Sequence, residues 1–258
     1  MPALPPVDAA RVVAALGPDT MWRSITVVDE IVSTNSELFA AAKLGADEGT
    51  VLIAEHQTQG RGRFTREWID VPGTNIAMSC LVRPKVPVQQ WGWLSALAGM
   101  AVAAAVRSLD ETQAPRVQLK WPNDVLLDDG KVCGIIADGD GSAAVIGIGL
   151  NIGGSQEELP TPTAKSLALA GLPTDKSVVT ASLLRELERY YRTWNVTSDI
   201  RVEYTALSST IGRDVRVQVS ETEFIEGTAV GVDEAGSLLV NVAGVVTPFA
   251  AGDVVHLR

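Results

Sequence analysis

The sequence predicts an α+β protein whose chain ends in a small β-barrel. In residues 25–150, short β-branched runs alternate with helical runs, and two long helical runs lie at Gln89–Leu109 and Val178–Trp194. From Ile211 onward, five short strand-like runs follow within 50 residues, a density that is typical of a small barrel. We therefore predict two domains, residues 1–210 and residues 211–258.

The first third of the chain has clear signals for where elements begin and end. A short helix at Val7–Leu16 ends before Gly17, and the β-branched run Ile25–Val28 is a strand. Ser33, Thr34 and Asn35 are capping candidates for a helix that has Glu37 near its start. Two more strands are predicted at 51–55 and 75–82, with a loop at 57–68 between them.

The rest of the chain is predicted to form a core helix, a run of strands and the barrel. The helix Gln89–Leu109 is apolar on all sides, which predicts burial. The strand Val117–Lys120 must end at Pro122, because proline cannot donate to a ladder. Strands at 125–127, 131–137 and 143–150 follow, joined by Asp/Gly turns, and the helix Val178–Trp194 is amphipathic. The barrel strands are predicted at 215–219, 227–232, 237–242, 245–248 and 254–257.

The composition limits the classes of partner. Lys plus Arg number 21 and Asp plus Glu number 31, so the net charge of -10 disfavours a general affinity for nucleic acid. The most apolar stretch, Trp91–Val106, is too short to span a bilayer. Cys80 and Cys133 lie in apolar runs and are expected to be buried, reduced thiols. We predict a cytoplasmic protein that does not bind membranes.

Residues 60–68, the arginine segment, form the most informative stretch of the loop. Glycines let backbone N–H groups approach a ligand, and arginines make bidentate contacts with phosphate or carboxylate. The pattern suits a mobile loop that closes over a phosphorylated ligand. A solvated surface loop and an RNA-binding patch fit the same composition, although the acidic net charge disfavours RNA.

Two further segments carry candidate chemistry. Lys120-Trp121-Pro122-Asn123-Asp124 ends a strand, where ligand sites often form, although the same residues suit an ordinary turn. Lys131 enters the next long strand, where regular alternation places it on one face with Cys133 and Ile135. A lysine on an inner face needs an anionic partner, whereas one at an exposed strand entrance does not.

Taken together, these segments resemble the biotin protein ligase (holocarboxylase synthetase) family. The matching elements, in chain order, are Ser33-Thr34-Asn35, Gln57, Gly60-Arg61-Gly62-Arg63 with Arg66 and Trp68, Lys120-Trp121-Pro122-Asn123-Asp124, Lys131 with Gly134-Ile135, and Gly147-Ile148-Gly149-Leu150-Asn151-Ile152. Their order fits over residues 25–155, and the C-terminal strands fit the family's small SH3-like domain. The ordered set is specific, whereas each element alone is not.

The resemblance implies a mixed central β-sheet flanked by helices, related to class II aminoacyl-tRNA synthetases, followed by the SH3-like barrel. It also implies an ATP-dependent biotin–protein ligase. The biotin carboxylate attacks the α-phosphate of ATP and gives biotinyl-5′-AMP and pyrophosphate. A lysine of a biotin carboxyl carrier domain then attacks the mixed anhydride and releases AMP. Mg²⁺ is expected to accompany ATP.

The resemblance also implies roles for individual residues. Lys131 bridges the biotin carboxylate and the α-phosphate, Arg63 belongs to the covering loop, and Asp124 is a partner of a lysine or of magnesium; these three are the catalytic candidates. Short hydroxyls and amides suit a ureido ring, which has two N–H donors and one carbonyl acceptor. The substrate-binding candidates are Ser33, Thr34, Asn35 and Gln57 for the ureido ring, Gly60, Arg61, Gly62, Arg63, Arg66 and Trp68 in the loop, Asn123 and Asn151 for the adenylate, and Lys120, Lys131 and Gly134.

Partners and alternatives follow from the same resemblance. Some family members carry a winged-helix DNA-binding domain, but only about 24 residues precede the first strand here. We therefore expect a monofunctional enzyme without DNA binding, either a monomer or a homodimer. A lipoate or octanoate protein ligase would share the fold and chemistry, and a biotin-binding regulatory protein would lack transfer. The arginine segment favours biotin, and Lys131 favours an enzyme.

Overall fold

The computed structural model describes residues 4–63, 66–69, 71–110, 116–220 and 222–257. The elements before residue 210, in chain order, are α1 (Ala9–Leu16), β1 (Ser24–Ile31), α2 (Thr34–Lys43), β2 (Thr50–Gln57), β3 (Asn75–Val82), α3 (Trp93–Leu109), β4 (Val117–Lys120), β5 (Asp124–Leu127), β6 (Gly130–Gly139), β7 (Ala144–Asn151), α4 (Lys176–Thr197) and α5 (Arg201–Leu207). The C-terminal strands are β8 (Asp214–Gln218), β9 (Phe224–Val232), β10 (Leu238–Val242), β11 (Val245–Phe249) and β12 (Asp253–His256).

A seven-stranded mixed sheet forms the centre of the molecule. Its strand order is β1-β2-β3-β7-β6-β5-β4, in which β1 and β2 are parallel and the other neighbours are antiparallel. This confirms the mixed central sheet that the resemblance implied.

Helices cover both faces of this sheet. Leu38 of α2 packs with Leu81 and Val145 on one face, while α3 and α4 bury the other face. β3 is consequently buried along its whole length, which agrees with its mainly apolar sequence.

The C-terminal strands form a five-stranded antiparallel sheet in the order β11-β10-β9-β8-β12. The sequence predicted all five of these strands. The predicted domain boundary near residue 210 stays a prediction. Ser209 N donates to Leu119 O at 2.7 Å, so the connection is hydrogen-bonded to the end of β4.

Backbone and side-chain hydrogen bonds fix the C-terminal domain against the central sheet. Trp93 Nε1, at the start of α3, donates to Glu234 O at 2.9 Å. Trp121 N donates to Thr210 Oγ1 at 3.1 Å, and the same hydroxyl lies 3.0 Å from His256 Nε2. These contacts place β12 beside the end of β4, and therefore beside the Lys120–Asp124 turn.

Two further predictions concern the thiols and the membrane. Cys80 and Cys133 are buried and free, as expected, and burial raises the pKa of both thiols well above the ordinary value. Among the described residues, no helix combines the length and the apolar character that a membrane span requires.

Candidate active site

A cavity of about 360 Å³ lies between the central sheet, the arginine segment and the C-terminal domain. It collects side chains that are far apart in the sequence. From the predicted site it is lined by Ser33, Thr34, Asn35, Gln57, Arg61, Gly62, Arg63, Arg66, Trp68, Lys120, Asn123, Asp124, Lys131 and Gly134. Fourteen of the sixteen candidates therefore share one cavity.

The start of α2 and the end of β2 form a buried polar cluster at one part of this cavity. Thr34 donates to Gln57 Oε1 twice, from its backbone N at 2.9 Å and from Oγ1 at 3.0 Å. Thr34 Oγ1 also lies 2.9 Å from Ser79 Oγ, and Ser33 caps α2. These hydroxyl and amide groups are almost inaccessible to solvent in a cavity wall, as expected of groups that recognise a polar ligand.

Ser79 was missed by the sequence analysis. It lies in the middle of the apolar strand β3 and is fully buried. A hydroxyl inside such a strand needs a hydrogen-bond partner, and this was the signal that could have identified it.

Glycines of β6 and β7 form the surface against which Trp68 packs. Gly134 and Gly149 are paired across the two strands. A Cβ atom on Gly149 would lie 2.4 Å from the Trp68 ring, and one on Gly134 would lie 2.9 Å from it. Any side chain at these positions would displace the indole. Trp68 Nε1 is buried and has no hydrogen-bond partner among the described residues, so the cavity contains an unused donor.

The expectation that Lys131 shares a face with Cys133 and Ile135 was wrong. The pairing of β5 with β6 is irregular, because Leu126 pairs with Lys131 whereas Val125 pairs with Cys133, which leaves an extra residue in β6. This β-bulge turns Lys131 to the face of Gly134, where a Cβ atom would lie 3.3 Å from Lys131 Cε. Cys133 is fully buried in the core on the opposite face.

As a result of the bulge, the Lys131 ammonium reaches Asp124. Lys131 Nζ lies 2.7 Å from Asp124 Oδ1, and both side chains line the cavity. Asn123, the neighbour of Asp124, donates from Nδ2 to Ile135 O at 2.6 Å and so ties the turn to β6. The turn after β4 therefore holds a fixed cation at the cavity wall.

The arginine segment folds back on itself and pairs with carboxylates on both sides of the cavity. Gly62 N donates to Arg66 O at 2.9 Å, and Trp68 N donates to Gly60 O at 2.8 Å. Arg61 Nη1 lies 2.9 Å from Asp138 Oδ2 on β6. Phe64 and Thr65 of this segment lie outside the described residues, and the predicted mobility of the segment stays a prediction.

The other two arginines reach the C-terminal domain. Arg63 Nη1 donates to Gly252 O at 3.1 Å, and Arg66 forms an ion pair with Asp253. Burial lowers the pKa of the Arg63 guanidinium, and the charges of Asp253 and Asp124 oppose this shift. Asp253 was absent from the sequence-based site, because nothing in its local sequence connects it to a loop almost 190 residues away.

Two predicted residues do not line the cavity. Asn151 ends β7 and donates from Nδ2 to Lys165 O at 3.0 Å, which is a structural contact. Gly60 lies where a Cβ atom would be 2.4 Å from Trp68 O, so it permits a close backbone approach. The C-terminal domain instead adds lining residues that the sequence analysis did not include: Gln218, Asp253, Val254 and Val255.

The acidic residues do not form a protein-built metal centre in the described part of the chain. No group of three or more His, Cys, Asp or Glu side chains is positioned there to hold an ion. Asp124 and Asp253 line the cavity, and each is paired with a cation. One or two carboxylates suit a magnesium ion that arrives on substrate phosphates.

Comparisons with known proteins cover almost the whole chain. A model of the Biotin/lipoate A/B protein ligase family matches residues 29–154, and one of the Biotin protein ligase C terminal domain matches residues 210–257. A biotin–[acetyl-CoA-carboxylase] ligase of Mycobacterium tuberculosis is 42% identical over 98% of this chain and 97% of its own length. A protein of the same name from Paracoccus denitrificans is 30% identical over 81% of this chain and 90% of its own length.

The fold is likewise similar to solved structures. A biotin protein ligase from Aquifex aeolicus, in complex with biotin and ATP, superposes with a TM-score of 0.74 at 24% identity and covers 92% of this chain and 99% of its own. At this identity the similarity establishes the shared fold.

Proposed function

The chain belongs to the biotin protein ligase family, and from this premise we propose that it is an ATP-dependent biotin–protein ligase. It forms biotinyl-5′-AMP from biotin and ATP and then transfers the biotinyl group to a lysine of a carrier domain. The observation that carries the proposal is a single cavity that joins a buried hydroxyl–amide cluster to the Lys131–Asp124 pair past the Trp68 ring, which packs on Gly134 and Gly149.

The hydroxyl–amide cluster fits the polar head of biotin. A ureido ring offers two donors and one acceptor, and Ser33, Thr34 and Asn35 offer hydroxyl and amide groups of both kinds. Lipoate has no such head, because its dithiolane ring carries no N–H or carbonyl group. An apolar ring in this cluster would bury the hydroxyl and amide groups without adding any hydrogen bond to them, which is costly. The cluster therefore favours biotin over lipoate and octanoate.

The cations around the cavity fit the adenylation step. With the biotin head in the polar cluster, its carboxylate extends past Trp68, which covers Gly134 and Gly149, toward Lys131. The ammonium, held by Asp124, offsets the repulsion between the carboxylate and the α-phosphate, and it stabilises charge that develops on the phosphorus oxygens. Arg63 and Arg66 also line the cavity and can donate to phosphate oxygens. Fixed charges of this kind need no reorganisation during the reaction.

We propose that Mg²⁺ would reach this site bound to ATP. Mg²⁺ keeps several waters and binds through substrate phosphates and one or two carboxylates. Asp124 is the carboxylate of the site that lies closest to Lys131, so we propose it as the protein contact for the ATP-bound ion. The ion would screen the charge of the phosphates while Lys131 and the arginines hold their oxygens.

In the second half-reaction a carrier lysine attacks the carbonyl carbon of the anhydride, and AMP leaves. The acetyl-CoA carboxylase named for the relatives makes its carrier domain the proposed acceptor. We further propose that the enzyme is cytoplasmic and acts without DNA, as the sequence analysis expected; a monomer and a homodimer are both compatible with a cavity built by one chain.

Release of pyrophosphate tests the proposal. Purified protein is incubated with ATP and Mg²⁺ and, in separate reactions, with biotin, lipoate or octanoate. We expect release with biotin alone. Release with lipoate or octanoate would show that the enzyme activates a different acyl group by the same mechanism. If biotin binds but none of the three acids supports release, the protein is a non-catalytic biotin-binding protein and the proposal fails.

A further inference from the structure

One carboxylate of the C-terminal domain is paired with two arginines of the catalytic domain. Arg66 forms an ion pair with Asp253, and Arg63 Nη1 lies 3.8 Å from Asp253 Oδ1. Arg63 also donates to the neighbouring carbonyl oxygen of Gly252 at 3.1 Å. Asp253 lines the same cavity as Lys131. The two domains therefore meet at the wall of the cavity through these charged groups.

The burial of Arg63 explains why a counter-charge is needed there. Its side chain is 20% exposed, and a guanidinium removed from water needs compensating hydrogen bonds and charge. Before a nucleotide binds, Asp253 provides the compensating charge and the Gly252 carbonyl accepts the hydrogen bond. A triphosphate carries several negative oxygens that suit the same donors.

The position of Asp253 is well defined by its surroundings. Gly252 has a φ of +148°, and a Cβ atom there would lie 2.9 Å from Gln218 O, so the turn before β12 packs closely on β8. Asp253 pairs with Gln218 in the β12–β8 ladder. The domain that carries it accepts hydrogen bonds from Trp93 Nε1 at Glu234 O and from Trp121 Nε1 at Gly236 O. Asp253 is thus held by a rigid frame, whereas the arginine segment is a loop.

We propose that Asp253 is a positioning residue for adenylation, supplied by the C-terminal domain, which holds Arg63 and Arg66 over the cavity and keeps them aligned while they bind the phosphates of ATP. The inference rests on the proposed function for its substrate. It gives the C-terminal domain a defined task in the reaction, namely to preorganise two phosphate-binding cations. Preorganisation lowers the cost of ordering a loop on binding.

Removal of the charge with little change in shape tests the role of Asp253. For Asp253→Asn we expect the KM for ATP in biotin-dependent pyrophosphate exchange to rise about tenfold, with kcat at saturating ATP and the KM for biotin changing less than about twofold. Asp253→Glu, which keeps the carboxylate, should recover most of the loss. Glu226→Gln is the matched control, because Glu226 pairs with Arg216 within the C-terminal domain, away from the cavity.

A wild-type KM for ATP in Asp253→Asn would overturn the inference, and so would an equal effect of Glu226→Gln. A lower KM would also overturn it, because Asp253 would then compete with phosphate instead of positioning the arginines. Thermal melting of each variant shows whether the C-terminal domain is folded. If Asp253→Asn fails to fold, Asp253→Glu and the Arg66 variant described next still decide the question.

A double-mutant cycle shows whether Asp253 acts through an arginine. In an Arg66→Ala background, Asp253→Asn should raise the KM for ATP less than about threefold, because the shared contact is already absent. Full additivity of the two substitutions would refute a positioning role through Arg66.

Hydrogen exchange separates this inference from the proposed function. Without any ligand, the amides of residues 60–68 should exchange faster in Asp253→Asn than in the wild type, whether or not the protein is a ligase. Wild-type exchange of pyrophosphate with biotin, together with unchanged amide exchange in the variant, would reject the inference alone. Failure of the wild type to use biotin would reject the proposed function. Faster amide exchange in Asp253→Asn would still show that Asp253 holds the arginine segment in place.

Discussion

At the scale of single residues, the site depends on how Lys131 is turned into the cavity. Regular alternation would have placed it beside Cys133, but the bulge in β6 aligns it with Gly134 and brings Nζ to 2.7 Å from Asp124. A sequence cannot reveal this, because a bulge depends on how β6 registers with β5. The chemistry of Lys131 was predictable from its surrounding motif, whereas its orientation was not.

Replacement of Lys131 tests its proposed role. In Lys131→Ala the carboxylate and the α-phosphate would meet without an intervening cation, so we expect the single-turnover rate of biotinyl-5′-AMP formation to fall by about 10²–10³-fold. The side chain is 39% exposed, so the melting temperature should change little. Lys43→Ala, on the far end of α2, is the control and should keep the wild-type rate. Full adenylation by Lys131→Ala would remove this residue from the mechanism.

His256 links the pH dependence of stability to the contact between the domains. Burial, followed by the charges of Lys120 and Arg213, lowers the pKa of His256 from 6.5 to about 4. Its neutral form, beside Thr210, is therefore the form that the folded protein favours. A folded pKa below the unfolded value stabilises the protein above pH 6.5, and this contribution is lost as the pH falls toward about 4.

We accordingly predict that the free energy of unfolding decreases between pH 6.5 and pH 4, and that His256→Asn decreases less over this range. Urea denaturation at several pH values measures both. Parallel curves for the wild type and His256→Asn would show that His256 does not contribute.

At the scale of elements, the β6–β7 pair determines the shape of the cavity. The sequence predicted β3 and β4 with correct ends and both long helices, because their apolar patterns and proline or glycine limits are local. It missed α5, whose only buried residue is Tyr204, so that no apolar stripe marks the helix. The packing of the Trp68 ring on Gly134 and Gly149 could not be predicted from the sequence either, because it depends on how β6 pairs with β7.

A side chain on this surface should disturb ligand binding more than folding. Gly149→Ala places a methyl group where the Trp68 ring lies, 2.4 Å from its nearest atom, so the ring must move. We expect the KM for ATP or for biotin to rise about tenfold or more, with the melting temperature only slightly reduced. Gly231→Ala in β9 is the control, because a Cβ atom there meets nothing within 4 Å. Wild-type kinetics in Gly149→Ala would contradict the role of the glycine surface.

At the scale of the whole molecule, the cavity belongs to both domains. The order of the motifs in the sequence was sufficient to predict the residues of the first domain, from Ser33 to Gly134, that line the cavity. It could not find Ser79 or Asp253, because the folded chain brings these residues to the cavity from a buried strand and from a separate domain. Asn151 was assigned to the adenylate from the same motifs; it lies outside the lining of the cavity and donates to Lys165 O, so this role stays a prediction.

Two exposed or half-exposed ion pairs connect the arginine segment to the rest of the molecule on its two sides. Arg61 with Asp138 and Arg66 with Asp253 are both accessible to solvent, and such pairs contribute about 0–1 kcal/mol each. They are strong enough to bias the position of the segment and weak enough to let its side chains adjust to a phosphate. This balance agrees with a covering loop that is ordered by its substrate.

Transfer of biotin to a protein tests the central claim most directly. The purified chain is incubated with biotin, ATP, Mg²⁺ and the isolated carrier domain of an acetyl-CoA carboxylase, and the intact mass of the carrier is measured. We predict a mass increase equal to one biotinyl group, located on a single lysine and absent when ATP is omitted or when Lys131→Ala replaces the wild type. An unmodified carrier, in a reaction where biotinyl-5′-AMP is formed, would contradict the claim that this cavity completes both half-reactions.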